Sequence, residues 1–136
     1  MTYCYCDYDR PAWVRSSLYH SKRSRRCEEC GCRINAGDKY EYTAGKWSGD
    51  VSTFSTCINC RDLRVWTVNN VPCACWEYGN VFEGLKYAIE EACYRAPDET
   101  KGLWFGFMRR LAKIRITRRQ QMALDRPHST QEALTR

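Results

Sequence analysis

The sequence predicts a small α+β domain, and three observations carry that prediction. Two C-x-x-C pairs are present, Cys27/Cys30 and Cys57/Cys60. A β-prone stretch with a Ser48-Gly49-Asp50 turn lies between them. A helix-period pattern opens at the second pair. Each short loop aims two sulfurs at one point, which suits a tetrahedral thiolate site for zinc. Knuckle, β-hairpin and helix in that order make the treble-clef arrangement: two ligands from a turn and two from the first turn of a helix. Sequence leaves iron open as the alternative metal.

The elements follow in chain order. Residues 1–13 are rich in Tyr, Cys and Asp, with Pro11 interrupting any helix. Residues 15–26, basic and serine-containing, read as a solvated lead-in with a helical turn around 15–19. The first pair ends in Gly31, where the turn commonly needs a positive φ. Residues 34–38 read as a turn, 39–44 as a strand and 51–56 as its return strand. A helix runs from Cys57 toward Asn70, and its N-terminus favours thiolates electrostatically. Pro72 ends it. A second helix starts near Asn80, with Glu83 three residues on as in a capping box, and stops before Pro97. After a linker at 98–102, a third helix begins near Leu103. Leu103, Trp104, Phe107, Met108, Leu111 and Ile114 fall on one face of it, and Arg109, Arg110 and Lys113 on the other. That pattern decays after Ile116, and the tail from Pro127 is polar. The expected organisation is a zinc-binding domain over 1–97 and a basic helix with its tail over 98–136.

Ten cysteines stand in 136 residues. The opening residues show neither a basic n-region nor an apolar run, and no stretch approaches a membrane span. The expected location is therefore the cytoplasm, where thiols hold metal rather than form disulfides. A second pair of pairs, Cys4/Cys6 and Cys73/Cys75, has C-x-C spacing and suggests a second zinc that pins the N-terminus to the core. The bland alternative is that these thiols are simply packed or free. Cys32 reads as a non-ligand and Cys93 as a small core residue.

Charge is uneven. Residues 1–26 carry +4 (six basic, two acidic), residues 27–100 carry −5 (seven basic, twelve acidic), and residues 101–136 carry +7 (nine basic, two acidic). Two tetrathiolate zinc sites would lower the formal +6 to about +2. No catalytic set is visible. The histidines are His20 and His128, no Gly-rich phosphate loop occurs, and both zincs would be closed by four protein ligands. The reading is a non-catalytic binding module. A host or phage protein partner, for example of the transcription or defence machinery, is favoured, with Trp47 and Phe54 near the hairpin as contacts. The alternative is a DNA- or RNA-binding regulator that uses Arg109, Arg110, Lys113, Arg118 and Arg119.

The segments 27–31 (Cys-Glu-Glu-Cys-Gly), 34–42 (I-x-x-G-x-x-Y-E-Y), 46–47, 54–60 and 75–79 resemble a group of small zinc-binding proteins of tailed bacteriophages and prophages. The likeness spans about residues 1–95. It implies a cytosolic, phage-encoded accessory protein, with Cys27, Cys30, Cys57 and Cys60 as zinc ligands. It brings no activity with it. A looser likeness to LIM-type and RING-type modules fails at the second-site spacing.

Overall fold

Three antiparallel strands form the sheet on which the rest of the chain is arranged. The computed structural model describes residues 10–125. Strand β1 (Trp13–His20) pairs with β4 (Lys39–Trp47), which pairs in turn with β5 (Asp50–Cys57). Ser48 and Gly49 link β4 to β5, both at positive φ (49° and 86°). Two such residues make the tight turn whose twist matches a hairpin. A second, two-stranded sheet joins β2 (Arg25–Arg26) to β3 (Arg33–Ile34) around the first cysteine pair.

Strand β1 corrects the expectation of a solvated lead-in with a helical turn around 15–19. Every residue of β1 is exposed, so the segment is solvated, but its backbone is extended. The open edge of β4 offers it a full ladder of hydrogen bonds, which a short exposed helical turn cannot match.

Three helices follow: α1 (Ile58–Asn70), α2 (Val81–Arg95) and α3 (Leu103–Leu124). Leu63, Val81, Leu85, Ile89, Phe107 and Ile114 are their most deeply buried apolar side chains, and they share one core with Cys27, Cys60 and Ile34. Helix α3 packs on both α1 and α2. It runs well past Ile116, where its apolar pattern fades. Gln121 explains the extension: its Nε2 donates to the Arg33 carbonyl (2.9 Å) and its Oε1 accepts from the Arg33 amide. The Arg33–Asp125 ion pair stands one turn beyond.

The start of α2 falls at Asn80 as expected, but the capping differs. The Asn80 side chain donates to Glu83 Oε2 (2.9 Å) instead of accepting from the helix. The acceptor is Glu29, from the first cysteine loop, which takes the Gly79 amide at 2.6 Å and the Val81 amide at 3.0 Å. A full carboxylate at a helix N-terminus satisfies orphan N–H groups and the helix dipole together.

Sheet alternation gives the two faces different roles. Glu41, Thr43, Gly45 and Trp47 of β4 point toward α1 and the 72–79 loop; Tyr40 and Tyr42 point the other way. On the inner face Glu41 is buried and receives Arg64 Nη2 at 2.6 Å and Arg61 Nε at 3.2 Å. Burial works against the Arg64 charge, but the Glu41 carboxylate outweighs it and raises the Arg64 pKa. Among the described residues, Arg64 Nη1 has no hydrogen-bond partner. Its guanidinium lies instead 5.2 Å and 5.5 Å from the ring centroids of Trp76 and Tyr78, whose electron-rich faces attract a cation.

Candidate metal centre

The first cysteine loop is a tight turn. The Cys27 amide donates to the Cys32 carbonyl (2.8 Å), the Gly31 amide donates to the Cys27 carbonyl (2.9 Å), and Gly31 has φ +77°. That geometry turns backbone N–H groups onto sulfur. The amides of Glu29 and Cys57 reach Cys27 Sγ at 3.4 Å and 3.3 Å, and the Cys32 amide reaches Cys30 Sγ at 3.4 Å. The loop is fastened to β5 through Glu28. Its amide donates to the Ser55 carbonyl (2.9 Å), and its carboxylate accepts from the Ser55 amide (2.6 Å). Two residues on, β5 delivers Cys57, which is also the N-cap residue of α1. Cys60 follows in the first turn.

The sulfurs of Cys27, Cys30, Cys57 and Cys60 all lie within 4.8 Å of one another, and Cys30 and Cys57 are 3.7 Å apart. Four thiolates about 2.3 Å from one zinc would stand about 3.8 Å from each other, so the cluster is close to coordination size. Its protons are shared unequally. The Cys30 thiolate opposes ionisation of Cys27, but the Cys57 and Cys60 thiols and the Cys57 amide hold Cys27 down to about 7. Cys30 is held below the ordinary thiol range by hydrogen bonds from Cys27, Cys57 and Cys60. The Cys27 and Cys30 sulfurs push Cys57 and Cys60 far upward. Four thiols this close cannot all ionise alone. A divalent cation removes the conflict by compensating the negative charge, and its uptake releases the remaining protons. Cys32 stands outside the group, and burial pushes it up to about 12.

Of the second cysteine set, Cys4 and Cys6 lie outside the described residues. Cys73 and Cys75 hold their sulfurs 3.6 Å apart, in the loop between α1 and α2. Cys93 is half-buried against the core, as a small apolar residue would be.

Trp47 and Phe54, singled out as partner contacts, come from adjacent strands and meet edge to face at 5.6 Å. Both also contact Tyr78, at 5.8 Å and 5.3 Å. With Trp76, Val14 and Pro11 they line a cleft of about 420 Å³. Arg109, Lys113, Arg118 and Arg119 are exposed on α3. Arg110 differs: its guanidinium stacks 4.3 Å from the Trp66 ring centroid and donates to the Gly106 carbonyl.

Sequence reasoning missed Glu28 and Glu29, which occupy the two x positions of the first C-x-x-C pair, and the buried Glu41–Arg64 pair. Spacing marks none of them, because each finds its partner on a distant element. No described helix is long and apolar enough to cross a membrane. No protein-family model, curated protein or solved structure matches the chain.

Proposed function

We propose that this chain is a zinc-stapled, non-catalytic recognition module of treble-clef architecture. The convergence of four sulfurs from a knuckle turn and a helix start is the observation that carries this reading. An all-thiolate donor set is soft and suits zinc far better than magnesium or calcium. Four protein donors leave no open position for a reacting water. Bound there, zinc would supply structural cross-linking and charge compensation for the thiolates. A second zinc, held by Cys73, Cys75, Cys4 and Cys6, belongs to the same reading. It is supported by the 3.6 Å sulfur separation in the 72–79 loop, close to that between Cys30 and Cys57. The phage accessory setting is supported by the resemblance of the cysteine segments alone.

Elemental analysis of protein made with ample zinc tests the proposal. Two ions per chain are expected. One ion keeps the Cys27/Cys30/Cys57/Cys60 site and rejects the second; fewer than one rejects the module. The charge balance of a metal-loaded chain favours a protein partner, and the cleft beside Trp47 and Phe54 would suit one. The opposite face of the sheet carries a different chemistry that favours nucleic acid.

A further inference from the structure

Most described positions on the outer face of the sheet are exposed. Alternation puts Trp13, Arg15 and Tyr19 of β1 on this face, beside Tyr42 and Lys46 of β4. Trp13 and Tyr19, on the edge strand, and Tyr42, on the central strand, are 42%, 51% and 36% exposed. They are not consumed by one another. Tyr19 stands 6.4 Å from Tyr42 at a 73° interplanar angle, edge to face, so ring surface is left free. Basic groups flank the rings. Arg15 is exposed on the strand, Lys46 is half-buried at the far end, and the Arg25 guanidinium sits 4.6 Å from the Tyr40 ring centroid at the near end. No strand position on this face, in any of the three strands, is Asp or Glu. Glu28, at the β5 edge, has its carboxylate engaged by the Ser55 amide.

We infer that this face is a binding platform for single-stranded nucleic acid, with bases stacking on Trp13, Tyr19 and Tyr42 and phosphates meeting Arg15, Lys46 and Arg25. The inference rests on the recognition-module reading and goes beyond it, assigning the outer face a second partner class. The chemistry is specific in two ways. Unpaired bases stack on exposed rings, which a duplex cannot offer because its bases are already stacked. A face with positive charge and no carboxylate among its strand positions suits a polyanion, whereas a protein contact core is depleted of charge. Trp13 and Tyr19 are about 20 Å apart along β1, a span suited to a stretch of two or three bases. The Trp47/Phe54 cleft is on the other side of the sheet and takes no part.

The test uses the full-length, zinc-loaded protein and fluorescence anisotropy with labelled oligo-dT and oligo-rU of about 12 nucleotides, within the usual site size of a stacking groove. Metal content and unfolding midpoint are measured on the same samples, so a failure of the zinc module is seen separately from a failure of the platform. Saturable binding of either oligonucleotide is expected, with a matching duplex bound more weakly. Three phosphate contacts would lower affinity roughly 20-fold between about 50 and 200 mM salt. Trp13→Ala and Tyr19→Ala should each weaken binding roughly tenfold, the scale of one lost base–aromatic stack. Arg15→Glu with Lys46→Glu should reduce both affinity and salt dependence. Arg109→Glu with Arg119→Glu, on α3, should leave binding unchanged. The inference is overturned if the folded, metal-loaded protein binds neither oligonucleotide, or if it binds duplex as tightly as single strands. It is equally overturned if the α3 reversals abolish binding while the Trp13 and Tyr19 variants do not.

Discussion

Gly84 sits inside α2, where alanine should be an improvement. Helix propensity alone favours Gly84→Ala by about 1 kcal/mol. The structure predicts the opposite sign. A Cβ at Gly84 would stand 2.5 Å from the Cys75 carbonyl oxygen and 2.9 Å from the Trp76 Cα. Both are backbone atoms, so no side-chain rotation relieves the clash. The 72–79 loop and α2 would have to separate by roughly 0.5–1 Å to restore ordinary contact. That loop carries Trp76 and Tyr78, whose rings face the buried Arg64 guanidinium. Overpacking of this kind costs about 1–3 kcal/mol, and backbone contacts place it toward the upper end. Net destabilisation of about 1–2 kcal/mol is therefore expected once the propensity gain is subtracted. Urea unfolding should show it as a lower midpoint at unchanged slope. The control is Gly102→Ala, where an added Cβ meets nothing within 4 Å and no such penalty applies. A Gly84→Ala protein as stable as the parent, or more stable by the propensity increment, would show that the loop does not lie against α2 in solution.

Three further outcomes follow from the same geometry. Cys57→Ala should abolish metal retention and cooperative unfolding, because it leaves three sulfurs and alters the start of α1, whereas Cys93→Ala should cost about 1 kcal/mol of packing; similar damage from both would show that their roles are misassigned. Zinc affinity, measured by competition with a chromogenic chelator, should fall steeply as pH drops below about 7, since protons then compete for Cys27 as well as for Cys57 and Cys60. The sign agrees for the metal-free fold: the Cys27 thiol is depressed to about 7 from 9.0, so the stability its ionisation supplies is present above pH 9.0 and lost as pH falls through about 7. Glu41→Gln should destabilise by about 3 kcal/mol in thermal or urea unfolding, because it strands the buried Arg64 charge, and Arg64→Met in the same chain should recover much of the loss; an unchanged single variant would mean that the pair is solvated.

Some of this architecture is legible in the sequence because its causes are local. C-x-x-C spacing constrains two sulfurs within one turn, and the structure brings both pairs together. Ser48-Gly49 specifies a tight hairpin whose two residues do take positive φ. Helices α1 and α2 begin where their apolar period begins. What escaped has non-local causes. Strand β1 has no buried stripe to betray it, since every residue in it is exposed; only the waiting edge of β4 makes it a strand. The cap on α2 is Glu29, supplied from the first cysteine loop, while the adjacent Asn80 turns its side chain to Glu83. The last turns of α3 carry no apolar face and persist because Gln121 clasps the Arg33 backbone. Likewise Trp47 and Phe54, read as surface contacts, meet Tyr78 from a loop that no periodicity places beside them.

These non-local ties converge on one short segment. Glu28 binds the edge of β5, Glu29 caps α2, the Cys32 amide donates to Cys30 Sγ, and Arg33 holds the end of α3. Residues 27–33 thus connect the four sulfurs to the sheet and to two helices that share no strand pairing with it. A turn of this length, with polar side chains aimed in different directions, has little apolar surface of its own to keep it folded. The thiolate cluster supplies what it lacks, since one cation can fix the turn at Cys27 and Cys30 and the β5–α1 junction at Cys57 and Cys60 together. Charge placement follows the same economy. Both glutamates of the C-x-x-C loop have their carboxylates engaged by backbone amides; burial raises the Glu29 pKa despite its two donors, the mark of a carboxylate withdrawn from solvent. The acidic residues nearest the cysteine cluster are therefore structural. They leave the outer face of the sheet, with its exposed rings and cations, free to meet a polyanion.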